Sequence, residues 1–419
     1  MLVDHDIVCF ANDWDSDPLS KKHVMLRLAR DNRVLWVDSL GCRNPTVSRR
    51  DLRRVAQKAQ DFTQGCRRVA ENLWVTSPLV VPFHGSALAR RVNRRWLGAT
   101  IRRTCRSLGM RRPVTWAFLP SSAEVAGTLG ERLVVYHCVD EYSEFTGADR
   151  EAIRAMDRRL AARADVVLVS AGSLLESKRR YNPQTHLVTH GVEVEHFRRA
   201  LDPTTVVPAE VDAAAGRGGG PVVGFFGLLA DWVDLELVAR VARERPRWAV
   251  VLIGKVDTGL EALRGLDNVH VLGPRPYTEL PAYCKGFDAA ILPFRLNDLT
   301  VAANPLKLRE YLAAGLPVVA TAIPEAERLA STFAPHVRVG RDPEDFVRRL
   351  DDALAGELTG PRREISAAVE GESWDRKVQE MGRIVSRFLG AGAPTAGVSD
   401  APPEGRRLRV EGGREGARG

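Results

Sequence analysis

The chain of 419 residues is poor in groups that hold metals or cross-links. Its six cysteines stand at positions 9, 42, 66, 105, 138 and 284, with no CxxC pair and no Cys/His ligand cluster. That spacing argues against a structural zinc site, and scattered thiols suit a reducing compartment. No apolar run approaches the roughly 20 residues that a membrane span needs. The opening stretch, MLVDHDIVCFAND, has acids where a secretory signal needs bases, so the expected location is cytoplasmic. No GxGxxG follows the first apolar strand, which counts against a nicotinamide-dependent oxidoreductase. No internal repeat is present.

What is present is enough apolar sequence, 44%, to fill complete cores. The length suggests two domains. Asp6 to Ala11 reads as a buried strand, followed by a polar loop with Asp13 and Trp14, a helical stretch from His23, and a second strand from Arg33 to Asp38. Strand, loop, helix, strand begins a parallel, doubly wound α/β sheet. Ligands of such sheets bind beyond the C-terminal strand ends. Asp13 and Trp14 are therefore candidate acceptor-side contacts; the alternative is an ordinary solvated loop. Asp51 to Cys66 looks helical, and Leu73 to Pro78 and Leu79 to Pro82 look like short strands.

Between Leu88 and Arg112 no acid interrupts seven arginines at 90, 91, 94, 95, 102, 103 and 106. Leu88, Val92, Trp96, Ile101, Cys105 and Leu108 recur as one apolar stripe. The element reads either as a core-packed helix with a solvated basic face or as a surface for anionic lipid heads. Nucleic acid is the weaker partner, since no recognised nucleic-acid motif accompanies the arginines. Arg132 to Cys138 is a strand that ends at Asp140 and Glu141. This places His137 and Asp140 where catalytic groups of open sheets collect, although Asp140 could equally cap a turn. The Ala- and Gly-rich stretch from Val206 to Gly220 reads as a linker. After it, the strand Val222 to Phe226 ends at Gly227, which lets backbone approach a ligand, and a helix is predicted from Trp232 to Arg243. The strand Ala249 to Gly254 ends at Lys255, a candidate phosphate contact or a solvated lysine.

The rest is organised around Asn304 to Thr321, NPLKLREYLAAGLPVVAT. Asn304 is predicted to N-cap a helix with Pro305 at its first position, and Gly315 to end it. The loop before it, Arg295 to Thr300, reads as open and polar. The positive helix end at Pro305 and Leu306 is a ready anion site. Lys307 and Glu310, three residues apart, can face one ligand or form a weak surface pair.

This segment resembles the donor-site helix of retaining, family 4-like bacterial glycosyltransferases of group 1 type, which have the GT-B fold of two Rossmann-like domains across a cleft. Glu310 matches the second Glu of their E-x7-E motif, whereas the first is Ala302. The resemblance runs loosely from Ile7 to Phe388. It implies an acceptor-side domain at 1–200, a linker at 201–220, a nucleotide-sugar domain at 221–372 and a helix at 373–389 that returns to the first domain. A disordered tail is expected at 390–419. It implies a donor site at Gly227, Lys255, Pro274, Tyr277, Asn304, Pro305, Leu306, Lys307 and Glu310, with the nucleobase near Pro274 and Tyr277. Lys307 and Asp140 are the candidate catalytic residues, and Asp13, Trp14 and His137 the candidate acceptor side. No metal or cofactor is expected; a nucleotide-diphosphate sugar is the co-substrate, and a glycan or lipid-linked molecule the acceptor. A nucleotide-sugar epimerase of the same fold, or a binding protein that no longer turns over, are the competing expectations.

Overall fold

The structure is a computed structural model that describes residues 2–15, 20–39, 65–78, 87–355 and 360–390, with side chains from 91 in the basic helix. The helix expected at 51–66, the strand piece at 79–82 and the tail from 391 lie outside the described residues, apart from the end of the first at 65–66.

The first sheet has eight strands: β1 (Asp6–Phe10), β2 (Arg33–Val37), β3 (Cys66–Ala70), β4 (Leu73–Thr76), β5 (Val114–Ala117), β6 (Leu133–Cys138), β7 (Val166–Val169) and β8 (Thr185–Leu187). Their order is β3-β4-β2-β1-β5-β6-β7-β8, and all neighbours are parallel except β3 with β4. The second has six: β9 (Val222–Phe226), β10 (Ala249–Ile253), β11 (Val269–Gly273), β12 (Ala289–Leu292), β13 (Val318–Thr321) and β14 (Val337–Gly340), ordered β11-β10-β9-β12-β13-β14, all parallel. Central strands such as VVLV in β7 and AVVLI in β10 are apolar at every position because helices cover both sheet faces. Each sheet reverses direction of winding beside its first strand, between β1 and β5 and between β9 and β12. These switch points open crevices at the strand C-termini.

Helices α1 (Ser20–Leu28), α2 (Ala87–Ser107), α3 (Ala209–Gly218), α4 (Leu235–Glu244), α5 (Asp298–Val301), α6 (Leu306–Ala313) and α7 (Trp374–Gly390) frame those crevices. The segment expected to be a plain linker carries α3 instead. Val211 and Ala214 enter the second core, and Glu210 accepts hydrogen bonds from Arg275 and Tyr283. Its alanines, uninformative as a pattern, are good helix formers. The helix after β9 starts at Leu235, not Trp232, because Asp234 caps it by accepting from Leu237 N–H at 3.2 Å.

The first half of the stripe on α2 is rotated from its expected position, while Ile101 and Cys105 are buried as expected. Asn93, Leu97, Ile101 and Cys105, four residues apart, face inward, whereas Val92 and Trp96 are 46% and 51% exposed. The sequence pattern mixes two faces into one.

Helix α7 returns to the first sheet, burying Trp374, Val378, Met381, Val385 and Leu389 in its core. Gly191 permits the return. A Cβ there would lie 2.8 Å from the Trp374 backbone. Val192 N–H donates to Glu372 O at 2.9 Å, and Trp374 N–H to Val192 O at 3.2 Å. Trp374→Ala is expected to cost about 3–5 kcal/mol in a denaturant unfolding measurement, the usual penalty for emptying a buried indole site.

Candidate active site

The crevice of the second sheet is narrowed by two glycines. Gly227 (φ 143°) and Gly254 (φ 145°) hold backbone conformations that side chains rarely adopt. A Cβ on Gly227 would fall on the Lys307 side chain, and one on Gly254 on the Gly227 carbonyl. Lys307 thus lies directly over the end of β9. Gly254 is a further candidate that the sequence reading lacks, although a glycine closing an apolar strand is the same signal that marks Gly227.

The loop before α6 is exposed from Arg295 to Asp298, as expected, but carries the short helix α5. Asn297 caps α5, accepting from Thr300 N–H at 3.0 Å while its own N–H donates to Thr300 Oγ1 at 3.0 Å. Asn304 is not the N-cap of α6 either. That position is Pro305, and no side chain caps the helix. The Asn304 amide donates instead to Ser170 O at 2.6 Å and Glu325 Oε2 at 3.3 Å, and its Oδ1 accepts from Arg309 Nη1 at 2.7 Å. Arg309 is fully buried and also donates to Glu372 Oε2 at 2.8 Å. Long-range partners win because a buried amide must satisfy all its polar atoms. The consequence is that the first turn of α6 keeps its N–H groups free of any side-chain cap, beside Lys307 and at the positive end of the helix.

Glu310 is buried one turn into α6. Burial pushes its carboxyl up from 4.5 to about 7, against the pull of Lys307 and with a further push from Glu193. Burial in turn lowers Lys307, while Glu310 raises it. Tyr277 lies in the same cluster. Burial raises its hydroxyl, and so do Glu310 and Glu193, the latter also through a hydrogen bond. The Tyr277 ring stacks on His196 at 4.6 Å, with Phe197 edge-on at 5.6 Å and His23 tilted at 5.9 Å. Pro274 is nearby in sequence and exposed, and Lys255 is exposed 3.9 Å from Asp257.

On the first-domain side Asp13 and Trp14 are tied into the end of β2. Asp13 Oδ1 accepts from Ser39 N–H at 3.1 Å, Trp14 N–H donates to Asp38 Oδ1 at 2.8 Å, and the Trp14 ring packs edge-on against Trp36. Burial pushes Asp140 up to about 6, opposed by Lys21 and assisted by Glu141. Lys21, at the start of α1, is buried, donates to Asn12 Oδ1 and lies 5.1 Å from the Tyr142 ring. Its field reaches Asp140, His137 and His190. His190 Nδ1 meets the Asn304 carbonyl at 3.0 Å and so joins this group to the entrance of α6. Nothing local in the sequence distinguishes Lys21, His190 or Arg309, and the sequence reading lacks all three. Ala302 is buried against the first-domain core, where a methyl group replaces a motif carboxylate.

With this geometry in place, the likenesses to known proteins are specific. Residues 220–355 match the family described as glycosyl transferases group 1. TuaH of Bacillus subtilis, a putative teichuronic acid biosynthesis glycosyltransferase, is 26% identical over 294 residues, 65% of this chain and 67% of that protein. Residues 220–355 form a group 1 glycosyltransferase domain, and the chain has the GT-B fold. Solved glycosyltransferases of low identity share the architecture. Sucrose-phosphate synthase of Thermosynechococcus elongatus has a TM-score of 0.66 at 16% identity, covering 92% of this chain and 100% of that one. HepE of Anabaena, solved with UDP and glucose, has 0.63 at 15%, covering 91% and 100%. A trehalose 6-phosphate synthase of Burkholderia multivorans has 0.65 at 14%, covering 94% and 100%.

The Glu310 carboxyl holds its proton more tightly folded than unfolded. Its contribution to stability therefore declines as pH rises from about 4.5 through about 7. Lys307→Met removes the group that lowers the midpoint and is expected to move it upward. Carboxyl 13C NMR across pH 4 to 9, assigned with Glu310→Gln, reads both effects.

Proposed function

We propose that the enzyme moves a sugar from a nucleotide-diphosphate sugar to an acceptor hydroxyl in the synthesis of an envelope polysaccharide. The observation that carries this is the uncapped start of α6, with Lys307 laid across the glycine at the end of β9. Backbone N–H groups, a helix dipole and one lysine converge where a diphosphate would sit. The UDP held by HepE and the pathway of TuaH support the donor class and the product class.

In this reading the N–H groups of α6 and Lys307 stabilise charge that builds on the leaving diphosphate. Glu310, once ionised, accepts from the ribose hydroxyls, and Tyr277 lies beside the base. Lys255 adds positive charge at the rim, with Gly227, Pro305 and Leu306 supplying backbone. Asp140, His137, Asp13 and Trp14 face the acceptor and the transferring sugar. Asp140, with Lys21 beside it, stabilises positive charge on the sugar ring. Retention at the anomeric carbon follows from the family resemblance. The test is binding of UDP, GDP and dTDP by thermal shift and calorimetry. One nucleotide is expected to stabilise the fold, with affinity falling about 10- to 100-fold in Lys307→Ala, as for a lost charge-assisted hydrogen bond. Nucleotide binding without sugar transfer to any acceptor would favour a binding protein, for which the methyl of Ala302 is the structural argument. Slow donor epimerisation without acceptor would favour an epimerase.

The enzyme also docks, in this proposal, on an anionic membrane that carries a lipid-linked acceptor. Val92 and Trp96 lie exposed on α2 among the exposed arginines 91, 94, 95 and 103, the arrangement of an interfacial helix. Arg102 is not part of that surface, since it donates to Thr128 O at 2.7 Å. Replacing Arg91, Arg94, Arg95 and Arg103 by Gln is expected to weaken binding to phosphatidylglycerol vesicles at least tenfold at low salt, at about 1 kcal/mol per residue near the surface. Unchanged sedimentation with vesicles would make α2 a solvated helix only.

A further inference from the structure

A buried lysine lies behind the end of β6. Lys178, in the helix Gly172–Arg179, is 2% exposed. Its ammonium lies 2.9 Å from Asp157 Oδ2 and donates to Glu141 Oε2 at 3.2 Å. Asp157 is buried in the helix Arg150–Arg163 and also accepts from the Tyr136 hydroxyl at 2.5 Å. Burial pulls the Lys178 ammonium down, but Cys138, Asp157 and Glu141 more than offset this, so it stays charged. Stability does not account for the cluster, because well-packed apolar residues generally serve a core as well as a buried ion pair does. Asp157 alone would also give the ammonium a buried partner. The bond to Glu141 is the part that needs a reason.

Glu141 directly follows Asp140 where the chain leaves β6. Its backbone, at φ −86° and ψ 84°, lies outside both the helix and the strand regions. No regular ladder fixes the chain there, so side chains do. Lys178 holds Glu141 Oε2, Ser143 Oγ donates to Glu141 Oε1 at 2.9 Å, and Cys138 Sγ donates to Asp140 O at 3.4 Å. The helix that carries Lys178 is fixed to the second domain at its other end. Gly172 N–H donates to Glu325 Oε1 at 3.1 Å, and Ser173 Oγ to Val301 O at 3.2 Å. Glu325 is the carboxylate that also holds the Asn304 amide at the entrance of α6. Six residues of helix, about 9 Å, thus separate a contact with the second domain from a contact beside Asp140.

We infer that Lys178 is a positioning residue, which through Glu141 holds the Asp140 carboxyl in register with a donor seated on the second domain. This rests on the proposed transfer from a nucleotide sugar. Lys178 is too buried to touch a ligand itself. Its charge also balances that of Glu141, which acts on Asp140 as a like charge, against Lys21 of α1 as the opposite one.

Titration of the Asp140 carboxyl tests this without any ligand, by carboxyl 13C NMR of the full chain, assigned with Asp140→Asn. The wild-type midpoint is about 6. Lys178→Met leaves Glu141 without its counter-charge and is expected to raise that midpoint by about 1, the scale of one unbalanced charge nearby. Glu141→Gln, which keeps the Lys178–Asp157 pair and so strands no buried charge, is expected to lower it. Adding Lys178→Met to Glu141→Gln is expected to change nothing further, because the effect runs through Glu141. Lys178→Arg, which keeps the charge, should restore the wild-type midpoint. The second readout is hydrolysis of UDP-glucose, GDP-mannose and dTDP-glucose. Glu141→Gln is expected to lower kcat about 10- to 100-fold with KM unchanged, the cost of a reacting group held out of place. An unmoved midpoint in Glu141→Gln would overturn the inference and leave a structural ion pair. An equal rise on Lys178→Met in both backgrounds would overturn it too, making Lys178 a distant charge only, as would an unchanged kcat in Glu141→Gln. Failure of wild type to bind or hydrolyse any nucleotide sugar would instead sink the transferase reading, while the titration still decides whether Lys178 governs Asp140.

Discussion

The buried junction of Asn304, Arg309 and Glu372 sets the geometry of everything else in the cleft. One guanidinium, fully removed from water, is held by a carboxylate from the segment that leads into α7 and by the amide that precedes α6. The same amide donates to Ser170 O in the first domain and to Glu325 in the second. Removing one partner would strand a buried charge, which is the costly way to break such a pair, at about 3–5 kcal/mol. The chain therefore enters α6 at one angle only. Because Asn304 is engaged sideways, it does not cap the helix, and the helix end stays available to an anion. Rigidity of the junction and openness of the site have one cause.

That junction also explains what can be read from the sequence. Gly227, Lys307 and Glu310 are legible because each signal is local: a glycine closing an apolar strand, and a cation and an acid in the first turns of a short helix. The two parallel sheets are legible for the same reason, since strand and helix alternate in runs that periodicity resolves. Asn304 misleads because its best local use, as a cap, loses to partners 134 and 21 residues away. Arg309, Lys21 and His190 give no signal, because a charged or imidazole side chain looks solvent-bound until its neighbours are known. The apolar face of α2 lies one position on from its pattern in the first half, at Asn93 and Leu97, and coincides with it at Ile101 and Cys105. There the arginine stems and Trp96 blur the boundary between faces, as long amphipathic side chains do.

The cleft is unusual in where its positive charge lies. The residues after Gly227 are Leu228, Leu229, Ala230, Asp231 and Trp232, so no cation follows the first turn of the second domain. Asp231 accepts from Thr146 of the first domain, and Trp232 meets Phe145 edge-on. A stretch that could hold phosphate holds the other domain instead. In the proposed reading, neutralising the diphosphate then falls to Lys307, to the backbone of α6 and, at the rim, to Lys255. A site with few cations depends more on low dielectric than on charge number, since each remaining charge acts more strongly where water is excluded. Closure between the domains is thus part of the electrostatics.

Ala302 belongs to the same argument. A carboxylate at that position would have to be buried against the apolar first-domain core. The desolvation cost of that charge would far exceed the cost for an exposed acid. The methyl group instead packs the second domain onto the first. Asp140, lifted by burial but held in range by Lys21, is in the proposed reading the acid that faces the sugar. A carboxylate supplied from the opposite domain can serve the same electrostatic end, provided the two domains are held in register, and Asn304 with Arg309 does that.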